Sequence, residues 1–272
     1  MDIFSVENEP REVTEIREKI LNKFQDLLFV EESHQYFLNG EELPSVSHIT
    51  HTFQEPFDEA FRAENYALKN GETPQYWLDK WHFNSLKAMT TGTLVHSFGE
   101  ANFYKKINRY DLIPKEALCK FDKKHKWLIP TRTKEEAVLK FWEEFPKDLY
   151  PVLAETKVYK PHSYAGTFDL LAYYKHPTDD SKSGLVILDY KTNAKLEDEY
   201  SRNVGRMLYE PFSDLYSESK SLYTLQLSCY QIPLEDLGLK VIARRLIWLT
   251  DDGNYELIPL IDVTKKLRKV LV

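Results

Sequence analysis

Leu185–Asn193 reads LVILDYKTN, and the interpretation of the whole chain starts from this stretch. Leu185 to Asp189 is an apolar, partly β-branched run that ends in an acid, which is typical of a short buried strand. On a strand, Asp189 and Lys191 point to the same side because side chains alternate. Burying a carboxylate and an ammonium costs desolvation free energy. An ion pair at the end of the strand is the simplest explanation for the two charges.

A second apolar strand with a single acid, Asp169, precedes this one and reads GTFDLL. The polar run Lys175–Ser183 and Gly184 predict the connection between the two strands. A hairpin of this kind would bring Asp169 close to Asp189 and Lys191. Two acids and a lysine around one point can hold a divalent cation with a water beside it.

Three motifs in chain order, GTFDLLAYY, LDYKTN and LQLSCY, resemble the PD-(D/E)XK nuclease superfamily, above all its RecB-type and phage exonuclease branches. The two acids of the family map onto Asp169 and Asp189 and its lysine onto Lys191, while Phe168 stands where the family has proline. The resemblance covers roughly residues 90–250. It implies an α/β fold in which helices flank a central mixed β-sheet, a restriction-endonuclease-like core, with a helical N-terminal elaboration.

The resemblance also assigns residues on two helices. The family's Gln…Tyr motif maps onto Gln226 and Tyr230, which lie four apart on one helix face. In the family this face covers the catalytic strands and contacts the lysine or the DNA; the alternative is an ordinary polar stripe. The family's Gly…His helix maps onto Gly92 and His96, which implies that His96 helps to bind metal. A lone histidine on a helix is otherwise structural or exposed.

The remaining ligands that the resemblance implies are Glu155 and the carbonyl of Tyr190. Glu155 lies on a strand predicted beside that of Asp169 and could be a third acid, but it could equally pair with Lys157 or face solvent. We expect Mg²⁺ or Mn²⁺ as the cofactor. An imidazole ligand from His96 would favour Mn²⁺, because imidazole suits Mg²⁺ less well.

The composition of the chain limits its class. The 272 residues are 42% hydrophobic, enough for one nuclease domain over 1–272. Within it we expect a mainly helical part at 1–150 with a β-hairpin near 35–43, and a catalytic core at 151–272 with an insertion at 192–220. No run is apolar enough for a membrane span, and the acidic start lacks the order of a signal peptide, so we expect an intracellular protein with no membrane partner. Cys119 and Cys229 are too few for an iron–sulfur cluster with four cysteine ligands.

DNA contacts are predicted in several segments. The net charge of −7 does not favour DNA binding, so the local distribution of charge matters more. Ser45 and Ser47 could contact phosphate or cap a helix. The basic segment Lys115–Lys140 could contact phosphate or be a solvated surface. Most aromatic residues of Glu55–Trp81 should belong to the core, but Trp77, Trp81 and Trp127 could stack on unpaired bases. The predicted DNA-binding residues are Gln226, Tyr230, Ser45, Ser47, Arg202 and Arg206, with the basic segment Lys115–Lys140.

Periodicity and turn residues predict most of the secondary structure. The Asn39-Gly40 pair predicts a tight hairpin, and Glu55–Trp81 has an irregular pattern. The predicted helices are Thr14–Phe29, one that starts near Ser45, Lys87–Phe103, Glu135–Phe145, Ser221–Leu234 and Asp262–Leu271, and the predicted later strands are Arg244–Thr250 and Tyr255–Pro259.

These observations predict a Mg²⁺- or Mn²⁺-dependent deoxyribonuclease that hydrolyses phosphodiester bonds, with DNA as its partner. Lys191 would orient the attacking water, stabilise the charge that develops on the phosphate, or abstract a proton if its pKa were lowered. An exonuclease that acts on DNA ends is favoured, because the long additions around the catalytic strands could roof a channel for a separated strand. The alternatives are a structure- or sequence-dependent endonuclease of the same fold, a non-catalytic nucleic-acid-binding protein, and an interaction domain with an accidental ion pair.

Overall fold

A computed structural model describes Val6 and residues 9–114, 121–122, 127–128 and 131–271. Its α-helices are α1 Arg11–Phe24, α2 Val46–His51, α3 Glu59–Asn70, α4 Pro74–Lys106, α5 Arg132–Glu143, α6 Glu199–Val204, α7 Ser219–Asp236 and α8 Thr264–Val270. Its strands are β1 Leu27–Val30, β2 Gln35–Leu38, β3 Glu41–Leu43, β4 Phe121–Asp122, β5 Trp127–Leu128, β6 Leu149–Lys160, β7 Tyr164–Tyr174, β8 Gly184–Lys191, β9 Val241–Leu249 and β10 Tyr255–Pro259.

The centre of the fold is a five-stranded mixed sheet with the order β10-β9-β8-β7-β6. Strands β6, β7 and β8 form an antiparallel meander, β8 pairs in parallel with β9, and β9 pairs antiparallel with β10. A parallel pair needs a crossover connection, and the chain between β8 and β9 supplies one that contains α7. The predicted α/β fold with helices around a mixed sheet and a helical N-terminal region is therefore confirmed.

Helices cover both faces of the sheet. Leu185 and Ile187 of β8 face the core that α1, α2, α7 and α8 cover. Val186 and Leu188 face the opposite core, which α4 and α5 cover. A strand buried on both faces reads as a continuous apolar run, which explains the composition of LVIL.

The prediction of one helix over Thr14–Phe29 is wrong in its second half. Helix α1 ends at Phe24, and the following residues form β1, which pairs with β2 from Leu27↔Leu38 to Val30↔Gln35. Pairing with the β2–β3 hairpin gives these residues the backbone hydrogen bonds of a sheet in place of those of a helix. Leu28 consequently points towards solvent, with 58% of its surface exposed. Tertiary pairing has overridden the local helical period.

The hairpin at Asn39-Gly40 is confirmed, since β2 and β3 pair across it. Both turn residues have positive φ, 52° and 85°, which is the backbone that a tight hairpin turn between right-twisted strands requires. The start of a helix near Ser45 is also confirmed. Ser45 is the N-cap of α2, and its side chain accepts a hydrogen bond from the backbone N–H of His48 at 3.1 Å.

The segment Glu55–Trp81 is largely helical, although its irregular sequence pattern predicted no helix. It contains α3 and the start of α4, which Asp58 and Thr73 cap and Gly71 separates. The two helices pack on each other, with buried residues confined to Ala63 and Ala67 on the described α3, and their aromatic rings meet one another. We call this segment, residues 57–81, the α3–α4 arm. Its apolar positions do not follow a single core-facing stripe, so periodicity did not predict its helices. No helix of the described residues is long and apolar enough to cross a membrane.

Helix α4 packs closely on the sheet at Gly99. A Cβ atom at this position would lie 2.6 Å from Cε2 of the Tyr190 ring. Glycine therefore allows α4 to lie directly on β8, which holds His96, one turn before Gly99, against the end of the strand. By contrast, a Cβ atom at Gly92 would meet no heavy atom of the described residues within 4 Å.

We expect Gly99→Ala to lower the free energy of unfolding by about 1–3 kcal/mol, because the added methyl group overpacks a rigid ring. The matched control is Gly92→Ala on the same helix, which should leave stability unchanged or raise it by up to about 1 kcal/mol. Urea denaturation of both variants measures the difference. Equal stability of the two variants would contradict the close packing of α4 on β8.

Candidate metal centre

The site lies where β7 and β8 stop pairing. Their ladder runs from Tyr174↔Gly184 to Leu170↔Leu188, and Asp169 and Asp189 are the next residue on each strand. Beyond the ladder, Asp169 Oδ2 accepts a hydrogen bond from the backbone N–H of Tyr190 at 2.8 Å. The side chain of Asp169 therefore takes the place of a strand partner, and the two strands are held together at the point where the acids lie.

His96 reaches the same point from α4, on the other side of the acids. Its Nδ1 lies 3.3 Å from Asp169 Oδ2, and its Nε2 lies 3.0 Å from the carbonyl oxygen of Tyr190. Both partners are acceptors, so both ring nitrogens donate when the imidazole is protonated. Burial lowers the pKa of His96, but the carboxylate of Asp169 more than offsets it and raises that pKa to about 9. The pKa of Asp169 shifts in the opposite direction. Burial raises it, but the charge of His96 brings it below the usual value.

Glu155 completes a three-residue cluster. It follows the paired residue Ala154 on β6 and has φ of 42°, a left-handed conformation that costs free energy for a residue with a Cβ. One ligand atom from each of His96, Glu155 and Asp169 lies within 4.8 Å of the others. Burial first, and the charge of Asp169 second, raise the pKa of Glu155 well above its usual value. The cluster is thus an excess of buried acid around one histidine.

Asp189 and Lys191 lie beside this cluster as an ion pair. Lys191 Nζ contacts Asp189 Oδ2, and the two side chains are 12% and 2% exposed. Burial, followed by the nearby charge of Asp169, raises the pKa of Asp189 to about 6 although Lys191 opposes the shift. Burial would lower the pKa of Lys191, but Asp189 and Asp169 raise it. The net effect is a pKa of Lys191 above its usual value.

The donors present fit a divalent cation. Asp189 Oδ1 is buried and has no hydrogen-bond partner among the described residues, while Oδ2 has the contact with Lys191 Nζ. Buried oxygens of this kind cost free energy unless something pairs with them. Carboxylates from Asp169, Asp189 and Glu155, the carbonyl of Tyr190 and the imidazole of His96 make up an oxygen-rich set, which suits Mg²⁺ and Mn²⁺.

The predicted Gln226 and Tyr230 lie together on α7, where Gln226 Nε2 donates to the Tyr230 hydroxyl at 3.0 Å. A Cβ atom at Gly166 would lie 2.7 Å from the Tyr230 ring, so this ring packs on β7. The aromatic residue that contacts the lysine is Tyr223, whose ring centre is 4.4 Å from Lys191 Nζ. Sequence reasoning missed it. The available signal was its spacing, because Tyr223, Gln226 and Tyr230 lie at i, i+3 and i+7 on one helix face.

The structure does not bring the other predicted DNA-binding residues into this cluster. Ser45 caps α2, and the side chain of Ser47 is exposed on the same helix. Arg202 makes two hydrogen bonds of 2.9 Å to Glu218, and Arg206 lies 2.8 Å from Glu55. Both arginines are thus neutralised by acids of the same chain.

In the basic segment Lys115–Lys140, residues 115–120, 123–126 and 129–130 lie outside the described ranges, and Cys119 is among them. Within the described part of it, Lys134 is buried and donates to the carbonyl of Leu249 at 2.6 Å, and it pairs with Asp251 at 2.8 Å. Lys134 therefore has a structural role, and Trp127 is described only as a residue of the short strand β5. Trp77 and Trp81 are half-buried in the aromatic cluster of the α3–α4 arm.

The stability of the metal-free protein should depend on the charge of His96. Because its pKa rises from 6.5 to about 9 on folding, its contribution is fully present below pH 6.5 and is lost as the pH rises through 9. We expect the wild-type protein in EDTA to lose up to about 3 kcal/mol of unfolding free energy from this source between pH 6.5 and 9.5. Denaturation of His96→Gln should show a smaller loss, whereas His51→Gln, at an exposed histidine of α2, should follow the wild type. Parallel curves for His96→Gln and wild type would contradict the ion pair.

Comparison with known proteins adds no family to this geometry. No protein-family model matches the chain. No curated protein matches its sequence significantly. The site must therefore be interpreted from its own residues and from the motifs that they form.

Proposed function

We propose that this chain is a Mg²⁺- or Mn²⁺-dependent deoxyribonuclease of the PD-(D/E)XK type that degrades DNA from its ends. The observation that carries the proposal is the convergence of four acidic or imidazole side chains and one lysine at the end of two buried strands. Asp169, Glu155 and His96 form the cluster, and Asp189 with Lys191 lies directly beside it. An accidental ion pair on β8 would need neither a histidine from α4 nor a third acid in a left-handed conformation.

Each residue has a definite part in this proposal. When bound, a divalent cation supplies an electrophile for the phosphate and lowers the pKa of a water. The carboxylates of Asp169, Asp189 and Glu155 supply the negative charge that binds such a cation, and His96 and the Tyr190 carbonyl add uncharged donors once His96 has released its proton. Lys191, which keeps its charge beside Asp189, donates hydrogen bonds to the attacking water or to the phosphate oxygen that gains charge.

The α3–α4 arm supports action at DNA ends. Phe57, Tyr66, Trp77 and Trp81 form a connected ring cluster with centroid distances between 5.2 and 6.2 Å. Trp77 and Trp81 lie on α4, the helix that also contains His96. A helix rise of about 1.5 Å per residue puts Trp81 roughly 22 Å along α4 from His96. Aromatic rings at this distance can stack on bases of a separated strand. An endonuclease, which must accept a continuous duplex, has no need of such an arm.

The first test concerns the acids. Asp189→Asn and Asp169→Asn keep the size of the side chain but remove negative charge from the cation site. We expect each change to lower DNA cleavage in Mn²⁺ or Mg²⁺ by at least about 100-fold, while DNA binding in Ca²⁺ persists. Asp111→Asn, at an acid with 61% of its side chain exposed, serves as the matched control and should cleave like the wild type. Near-normal cleavage by Asp189→Asn would exclude the metal-site assignment.

The second test separates exonuclease from endonuclease. Linear duplex with free ends, the same duplex with bulky groups on its ends, and covalently closed circular duplex are incubated with the protein and Mn²⁺. We expect progressive loss of the free linear DNA, slow loss of the blocked DNA and survival of the circle. Equal rates on all three would identify an endonuclease, and binding without any cleavage would identify a non-catalytic nucleic-acid-binding protein.

A further inference from the structure

The ammonium group of Lys191 lies between two partners of different kinds. One is the carboxylate of Asp189, which it contacts directly. The other is the ring of Tyr223 on α7, whose centroid is 4.4 Å from Lys191 Nζ. At this distance an ammonium is attracted by the negative face of an aromatic ring. Because Lys191 is only 12% exposed, water weakens this attraction less than at a surface site.

The Tyr223 ring is held in place independently of Lys191. Its hydroxyl donates to Asn193 Oδ1 at 2.8 Å. Asn193 is held in turn by Trp248, whose indole Nε1 donates to the Asn193 carbonyl oxygen at 2.8 Å. Trp248 lies beside Lys191 in the parallel register of β8 and β9. Three separate elements, namely α7, the segment after β8 and β9, therefore fix the ring under the lysine.

A cation bound at Asp189 would change the balance between these two partners. The carboxylate would share its charge with the dication, and the dication would repel the ammonium, since like charges at a few ångströms repel even in a medium of high dielectric constant. The ring of Tyr223 carries no net charge and gives the ammonium a partner for which a metal bound by carboxylates does not compete.

We propose that Tyr223 is the positioning residue that keeps Lys191 at the reacting phosphate, with Asn193 and Trp248 as its supports. This inference rests on the proposed nuclease function and deepens it. It also assigns separate tasks to the residues of one helix face, because Tyr230 packs against Gly166 of β7 and bonds with Gln226, whereas Tyr223 contacts the lysine. The resemblance alone would have given the lysine contact to the Gln…Tyr pair.

Two substitutions at Tyr223 test the proposal. Tyr223→Phe keeps the ring and removes its hydrogen bond to Asn193, while Tyr223→Leu removes the ring. The matched control is Tyr159→Leu, which removes another ring that lies against a lysine. The centroid of the Tyr159 ring, on the α1 side of β6, is 5.9 Å from Lys23 Nζ. Each protein is assayed for kcat and KM on linear DNA in Mn²⁺. Lysine labelled with ¹³C at Cε gives a second readout, in which the Lys191 signal is assigned by its absence from Lys191→Met.

We expect Tyr223→Leu to lower kcat about tenfold, while KM changes less than about threefold. In the metal-free and the Ca²⁺-loaded protein, the Lys191 signal should lose the upfield shift that the ring imposes. Tyr223→Phe should keep both the shift and a kcat within about threefold of wild type. Tyr159→Leu should lower stability without lowering kcat, which separates positioning from loss of packing.

Three results would overturn the assignment of Tyr223: an unchanged Lys191 signal in Tyr223→Leu, an unchanged kcat in that variant, or equal losses of kcat in Tyr223→Phe and Tyr223→Leu. Failure of the proposed function looks different, because the wild-type protein itself would then cleave no DNA in either metal.

Discussion

The structure depends on the burial of several charges at one end of two central strands. Asp169 and Asp189 are buried, whereas Glu155, His96 and Lys191 are partly buried. Buried charges cost several kcal/mol each unless they are paired. In the metal-free protein, His96 pairs with Asp169 and Lys191 with Asp189. Burial and the charge of Asp169 raise the pKa of Glu155. This excess of acid over base is the feature that supports the proposed divalent cation.

Two helices make this arrangement possible from opposite faces of the sheet. Helix α4 comes close enough to deliver His96 because Gly99 leaves room for the Tyr190 ring. Helix α7 comes close enough to deliver Tyr223 because Gly166 leaves room for Tyr230. Both contacts lie near the point where β7 and β8 cease to pair, so backbone groups of Tyr190 become available to His96 and Asp169. The catalytic proposal therefore rests on packing at two glycines as much as on the acids themselves.

Much of the fold was predictable because local rules and tertiary structure agree there. The apolar runs of β7 and β8 and the polar turn between them predicted that Asp169 lies near Asp189. The Asn39-Gly40 turn and the Ser45 cap need only short-range geometry, and both were predicted. Prediction of the secondary structure failed where contacts between distant segments decide which element forms. Strand β1 forms because a partner strand is available, although its residues continue the helical period of α1. The α3–α4 arm forms because its rings pack on each other, and its apolar residues show no simple period.

The sequence by itself determined the α/β class, the order of the central strands along the chain and the neighbourhood of Asp169, Asp189 and Lys191, because alternation and turn chemistry act over a few residues. His96 and Glu155 entered the predicted site through a family resemblance, since no periodicity relates a helix near residue 96 to a strand near residue 169. Only the tertiary structure decided that the ring of Tyr223 contacts Lys191 and that Asn193 and Trp248 hold this ring in place. It also decided that Arg202 and Arg206 pair with acids. These contacts join segments far apart in the chain, and their geometry follows from how closely α4 and α7 pack on the sheet.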